Sequence, residues 1–228
     1  MYKFFVIIPN ILFPNYLSLG YNRLTIIKAV LSIAKRTNKS ISYPEYVIEK
    51  NCDCHSFVSQ QGKTINVRTS LVIKTDKDTN KVITYILKNP SKADEHESDL
   101  TINKIIAAAY KQDASKIFIF NVLPFYLTDS NQLITYLKEL MENDKKDYDD
   151  AVLKNYTVIE KYLNTKSEDV FICGWGSNTT DEKNLEDIEK LIKKHRIEVN
   201  KFKQIDDFPV HPQGKPIDMD DPFEPLDL

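Results

Sequence analysis

Asn89 is the residue best placed by type and setting to do chemistry. It closes the apolar run Ile83-Thr84-Tyr85-Ile86-Leu87 through Lys88, and the Asn-Pro step supplies a two-way hydrogen-bonding amide just where the backbone must change direction. The polar loop that follows carries Ser91, Lys92, Asp94 and Asp99 before a helical period starts at Thr101-Ile102. Farther along, Asn121 leads into Pro124-Phe125-Tyr126, Gly174-Trp175-Gly176 closes another apolar run, and His211-Pro212 follows the last. If these runs are parallel strands, their carboxyl ends deliver all four groups to one edge of a sheet, where open α/β folds bind ligands. Plainer roles stand beside the functional ones: Asp99 caps a helix, Asp94 serves its own loop, Trp175 plugs a core and His211 pins a turn.

The cysteines offer less. Cys52, Cys54 and Cys173 leave one thiol over in any disulfide scheme, which points to a reducing compartment. Cys52-Asp53-Cys54-His55 has the residue types of a metal site. Structural zinc sites, however, join two pairs spaced by two to four residues, and neither that spacing nor a partner cluster is present. Ordinary thiols near a loop, with no metal, are the expectation.

Positioning the polar strand ends requires a regular scaffold. Alternating β-branched runs at 66–74 and 81–88, separated by Thr75-Asp76-Lys77-Asp78-Thr79-Asn80, read as a hairpin. Ser98 or Asp99 is set to cap a helix whose face carries Ile102, Ile105, Ile106 and Ala109. Strands at 116–122, 169–173 and 199–205 alternate with helices marked by Leu133, Leu137 and Leu140, by 149–164 and by 184–195. This alternation predicts an α/β protein, a three-layer α/β/α sandwich with a mostly parallel central sheet. Residues 61–215 form its core. Residues 1–60, with a helix over 24–35, are read as an extension packed at its side, and the acidic, proline-punctuated 216–228 as a flexible tail.

Composition excludes more than it proposes. With 228 residues, 42% hydrophobic, the chain is an ordinary globule, and 31 basic against 33 acidic residues give no global field to draw nucleic acid. A local basic groove remains open, with Lys88, Lys92 and Lys104 in or just after the first loop. Only 5 glycines are present and no glycine-rich phosphate loop occurs, which disfavours nucleoside-triphosphate and dinucleotide chemistry. The apolar start breaks at Pro9-Asn10, so neither a signal peptide nor a membrane span is expected, and a cytoplasmic protein is.

The same residues carry a resemblance. Asn89-Pro90-Ser91-Lys92-Ala93-Asp94, Asp99-Leu100-Thr101-Ile102, Asn121, Gly174-Trp175-Gly176 and His211-Pro212 follow in order the pattern of the bacterial and phage family called domain of unknown function 1643, over about residues 66 to 214. Lys88, Lys92, Leu100 and Val122 depart from it, standing where that family usually has Leu, Thr, Pro and Leu. A strand ending in Asn-Pro and a late His-Pro loop are more distantly similar to the uracil-DNA glycosylase superfamily, a three-layer α/β/α fold. That resemblance implies a DNA-acting N-glycosidase needing no cofactor, directed at modified bases such as those of phage DNA. In it Asn89 holds the water or the base edge, and Asp94 or Asp99 acts as base or stabilises the oxocarbenium ion. His211 donates to the base oxygen, Trp175, Phe125 or Tyr126 stacks on the flipped ring, and Ser91 and Asn121 complete the ligand contacts. A non-catalytic nucleotide- or nucleic-acid-binding module of a defence or regulatory system is the alternative.

Overall fold

The computed structural model describes residues 41–59, 62–126, 130–165, 169–176, 182–203, 209–212 and 216–228. The helix expected over 24–35 lies outside that set. Within it, seven strands and four helices follow one another. They are β1 (Val47–Val58), β2 (Thr64–Thr75), β3 (Val82–Leu87), α1 (Leu100–Lys111), β4 (Lys116–Asn121), α2 (Ser130–Asn143), α3 (Lys145–Leu163), β5 (Val170–Gly174), α4 (Glu182–Lys194), β6 (Val199–Phe202) and β7 (Phe223–Leu226).

All seven strands share one sheet, in the order β1-β2-β4-β3-β5-β6-β7. Its centre, β4-β3-β5-β6, is parallel, whereas β1, β2 and β7 join antiparallel at the margins. The sheet is therefore mixed, which corrects the mostly parallel expectation. Short runs such as β3 and β5, linked through helices, pair parallel; the twelve-residue β1 and β2 are joined by a tight turn at Gly62 (φ +76°) and must pair antiparallel.

The hairpin expected between 66–74 and 81–88 is also corrected, because β4 lies between those strands. It pairs antiparallel with β2 (Leu71 opposite Ile119) and parallel with β3 (Ile83 beside Ile117). The polar segment after β2 turns around the start of β4 instead: Thr75 Oγ1 donates to the Ala114 carbonyl (2.7 Å) and the Ser115 amide to Lys81 (3.0 Å). The sheet also reaches beyond the core assigned from sequence, since β1 falls within 1–60. The acidic tail contributes β7, its residues paired rather than solvated. Phe223 packs on Phe202 with ring centroids 5.7 Å apart, and Lys201 and Lys203 meet Glu224 and Asp221.

Alternation along β3 explains why both faces are covered. Ile83, Tyr85 and Leu87 join a core with Ile102, Ile105, Ile106 and Ala109 of α1, while Ile86 joins another with Ile159 and Leu163 of α3 and Ile188 and Leu191 of α4. Each buried Ile or Leu among them contributes roughly 1.5–3 kcal/mol by leaving water. A third cluster, with Ile65, Val67, Phe125, Leu137, Leu140 and Tyr148, packs α2 and α3 on β2.

Candidate functional site

From β3 the chain adds β4 on one side and β5 on the other, so strand order reverses at the β3–β5 boundary. Such a switch point opens a crevice outside the carboxyl ends of the two strands. Leu87 and Gly174 are register partners there, leading into Lys88-Asn89-Pro90 and Trp175-Gly176. The close approach favours a glycine: a Cβ on Gly174 would stand 3.0 Å from Leu87 Cδ2 and 3.2 Å from Phe202 Cε2, so either side chain would have to shift.

His211 is brought to this edge by two anchors. Gly176, at φ +81°, donates its N–H to the Pro209 carbonyl (2.7 Å) and would set a Cβ 3.5 Å from that of His211. From α1, Lys104 Nζ donates to the Pro212 carbonyl (2.7 Å). Burial drives the His211 imidazole down to about 4, reinforced by the charges of Lys88 and Lys104 and opposed by Asp99. The imidazole is therefore neutral at physiological pH. Lys88, half-buried, is likewise pushed down by desolvation. The strand end carrying Asn89, the start of α1 and the His211 loop thus meet in one place, although about half the chain separates Asn89 from His211.

Within the first loop, most polar groups are occupied by the loop itself. Asn89 Nδ2 donates to the Pro90 carbonyl (3.1 Å). Asp94 Oδ1 accepts the amides of His96 (2.7 Å) and Glu97 (2.9 Å), a self-contained turn. Asp99 is the N-cap of α1, its Oδ1 accepting from Thr101 (2.8 Å) and Ile102 (2.9 Å) while Oδ2 accepts from the Ser91 hydroxyl. The structural roles foreseen for both aspartates are therefore the ones observed, and Lys92 is exposed.

Two aromatic expectations are corrected. Trp175, 3% exposed, packs among Ile86, Phe120 and Phe171, and Phe125, 0% exposed, lies against Tyr148 with rings 5.3 Å apart at 15°. Neither presents a face to a ligand, because the apolar ring area is more stable inside the adjoining cores. Tyr126 is half-buried and its hydroxyl reaches Cys54 Sγ at 3.2 Å.

Arg68 was not among the residues singled out from sequence. At 1% exposure it reaches from β2 beneath the first loop, donating from Nη1 to the Ala93 carbonyl (2.7 Å) and from Nη2 to Asn121 Oδ1 (3.0 Å), with the Tyr126 ring 5.8 Å away. Arg68 Nε and Asn121 Nδ2 find no hydrogen-bond partner among the described residues. Asn121, itself 1% exposed, thus works as the floor of the loop, tied through its carbonyl to Asn155 Nδ2 (2.9 Å). The cysteines differ from expectation too. Cys52 and Cys54 stand within β1 rather than near a loop, in disulfide contact, and Cys173 is a buried free thiol in β5.

This frame is that of a known family. The family model of the protein of unknown function DUF1643 matches residues 68–213, beginning at Arg68 and ending just past His211-Pro212. The chain belongs to that family. No curated protein matches it. Among the described residues no helix is long and apolar enough to cross a membrane.

Proposed function

We propose that this DUF1643 member recognises a nucleotide unit of DNA in the β3–β5 crevice and hydrolyses its N-glycosidic bond, on a three-layer α/β/α frame and in the cytoplasm. The observation that carries this reading is the convergence of His211, held neutral, with the loop bearing Lys88 and Asn89 at the switch point. A neutral imidazole can donate a hydrogen bond to a base oxygen as negative charge develops there, without first giving up a proton. Asn89 would orient the water or the base edge. Lys88 and Lys104 would meet phosphate, and Asp99, engaged by Ser91 and the helix amides, would act by fixing the loop and steadying positive charge on the sugar.

A second reading rests on a different observation. Asp94 and Asp99 both spend acceptors on backbone amides, so a module that binds a nucleotide without cleaving it needs no change in either. Incubation with DNA carrying uracil, hydroxymethyluracil or modified cytosines, followed by alkali, separates the two. Strand scission lost in Asn89→Ala and in His211→Ala supports the glycosidase. Retained binding with no scission on any of these DNAs leaves the binding module, and absence of both refutes the nucleotide reading.

A further inference from the structure

Cys52 and Cys54 stand two apart on β1, so their side chains leave the same face of the strand. Their Cα atoms are 5.3 Å apart. The first site loop then lays Glu95 over them. The two Sγ atoms and a Glu95 carboxylate oxygen all lie within 4.8 Å of one another, each residue half-buried. Tyr126 adds its hydroxyl at 3.2 Å from Cys54 Sγ and 3.8 Å from Cys52 Sγ.

We propose that, when reduced, Cys52, Cys54 and Glu95 bind a zinc ion that clamps β1 to the loop carrying Asn89 and Asp99. Glu95 Oε1 already lies 3.5 Å from His96 Nε2, but once the disulfide is reduced two thiolates beside the carboxylate repel it, and a cation between the three relieves that repulsion. Two thiolates and one carboxylate form a mixed soft and hard set suited to zinc; tetrahedral bonds would hold the two sulfurs about 3.8 Å apart, so the bonded pair must separate on reduction to take the ion, while the Glu95 oxygen already lies within 4.8 Å of both. Three protein donors leave a fourth coordination position, on which the Tyr126 hydroxyl or a water can act. Cys52 and Cys54 precede the family match at residues 68–213, whereas Glu95 and Tyr126 fall within it; metal binding as measured below does not depend on the glycosidase reading.

The step balances simply. Two external thiols, or one dithiol, reduce the disulfide, giving two electrons and two protons to its sulfurs and leaving as a disulfide themselves. Zinc then displaces the two thiol protons to solvent, so binding strengthens with rising pH. The test takes the full chain, reduced with excess thiol, freed of it without chelator, and titrated with Zn²⁺ or Co²⁺ alone while free thiols are counted. The expected result is one metal per chain, a thiolate-to-cobalt charge-transfer band, and loss of both in Cys52→Ser and Cys54→Ser, with Zn²⁺ about tenfold or more weaker in Glu95→Gln. Circular dichroism shows which variants remain folded, and Glu95→Gln, in a loop, carries the test should a cysteine variant unfold. A chain whose two thiols count as free yet holds no stoichiometric metal overturns the proposal. So does Glu95→Gln binding zinc as tightly as the parent.

Discussion

His211 and Arg68 show opposite ways of keeping an ionisable group inside a protein. His211 gives up its charge; Arg68 cannot, and is held by the Ala93 carbonyl, the Asn121 amide and the face of Tyr126. The histidine's choice has a measurable consequence. In the unfolded chain an imidazole takes a proton near pH 6.5, but in the fold only near about 4, so between those values the unfolded chain holds a proton that the folded chain lacks. Stability from this group is thus complete above pH 6.5 and falls as pH drops toward 4, by up to about 3 kcal/mol. Urea unfolding of the wild type and His211→Gln at pH 7 and pH 4.5 isolates the effect, because other carboxylates titrate alike in both. The wild type should lose more stability on acidification, and equal losses would show His211 to be solvated. The place of Asn89 just past the end of β3 and the capping role of Asp99 were legible in the sequence, because an Asn-Pro step and an acid before a helical period each have a local physical reason. Arg68 was not. Period-two alternation puts it on the side of Asn66 and Lys74, both exposed, and only the register shift opposite Asp53 and Cys54, with the loop above, buries it.

At the level of elements, α1 links fold and site, since one residue, Asp99, both starts the helix and holds Ser91. Removing its side chain leaves the amides of Thr101 and Ile102 without an acceptor, so Asp99→Ala should destabilise by about 1–2 kcal/mol. Asp99→Asn, which still accepts at the cap, should stay within about 0.5 kcal/mol of the parent. Thermal or urea unfolding reads both. If the asparagine variant is stable yet loses any base-removal activity, the charge of Asp99 matters beyond its cap; if activity survives, the carboxylate is structural alone. Helices and strands from β2 to β6 were legible, because hydrophobic period reports an element's kind. It does not report its partner. The strands at 66–74 and 81–88 were recognised but misjoined, since nothing local to Thr75–Asn80 tells that β4 will slip between them. In the same way Phe223 and its acidic neighbours look like a tail until β6 offers Phe202, Lys201 and Lys203 as partners.

For the whole molecule, the charges nearly cancel at −2, and many lysines are already paired, among them Lys111 with Asp220, Lys194 with Glu160 and Lys203 with Asp221. Any attraction for a polyanion must therefore come from a local patch, and the crevice offers one. Lys88 and Lys104 lie close enough to lower the His211 pKa, and exposed Lys92 extends the same loop. If the ligand is DNA, each phosphate met by one of these lysines releases about one counterion, so the logarithm of affinity should fall linearly with the logarithm of salt. Lys88→Ala and Lys92→Ala should each flatten that slope by about 0.9 while weakening all sequences alike. Lys104→Ala should behave differently, because its ammonium also holds the Pro212 carbonyl: besides flattening the slope it should release the His211 loop and raise the imidazole pKa toward its ordinary value. Titration of His211 by NMR alongside binding at 50 and 200 mM salt distinguishes the two kinds of lysine. Affinity unchanged across that range would mean that the crevice takes a small uncharged ligand and not a nucleic-acid backbone.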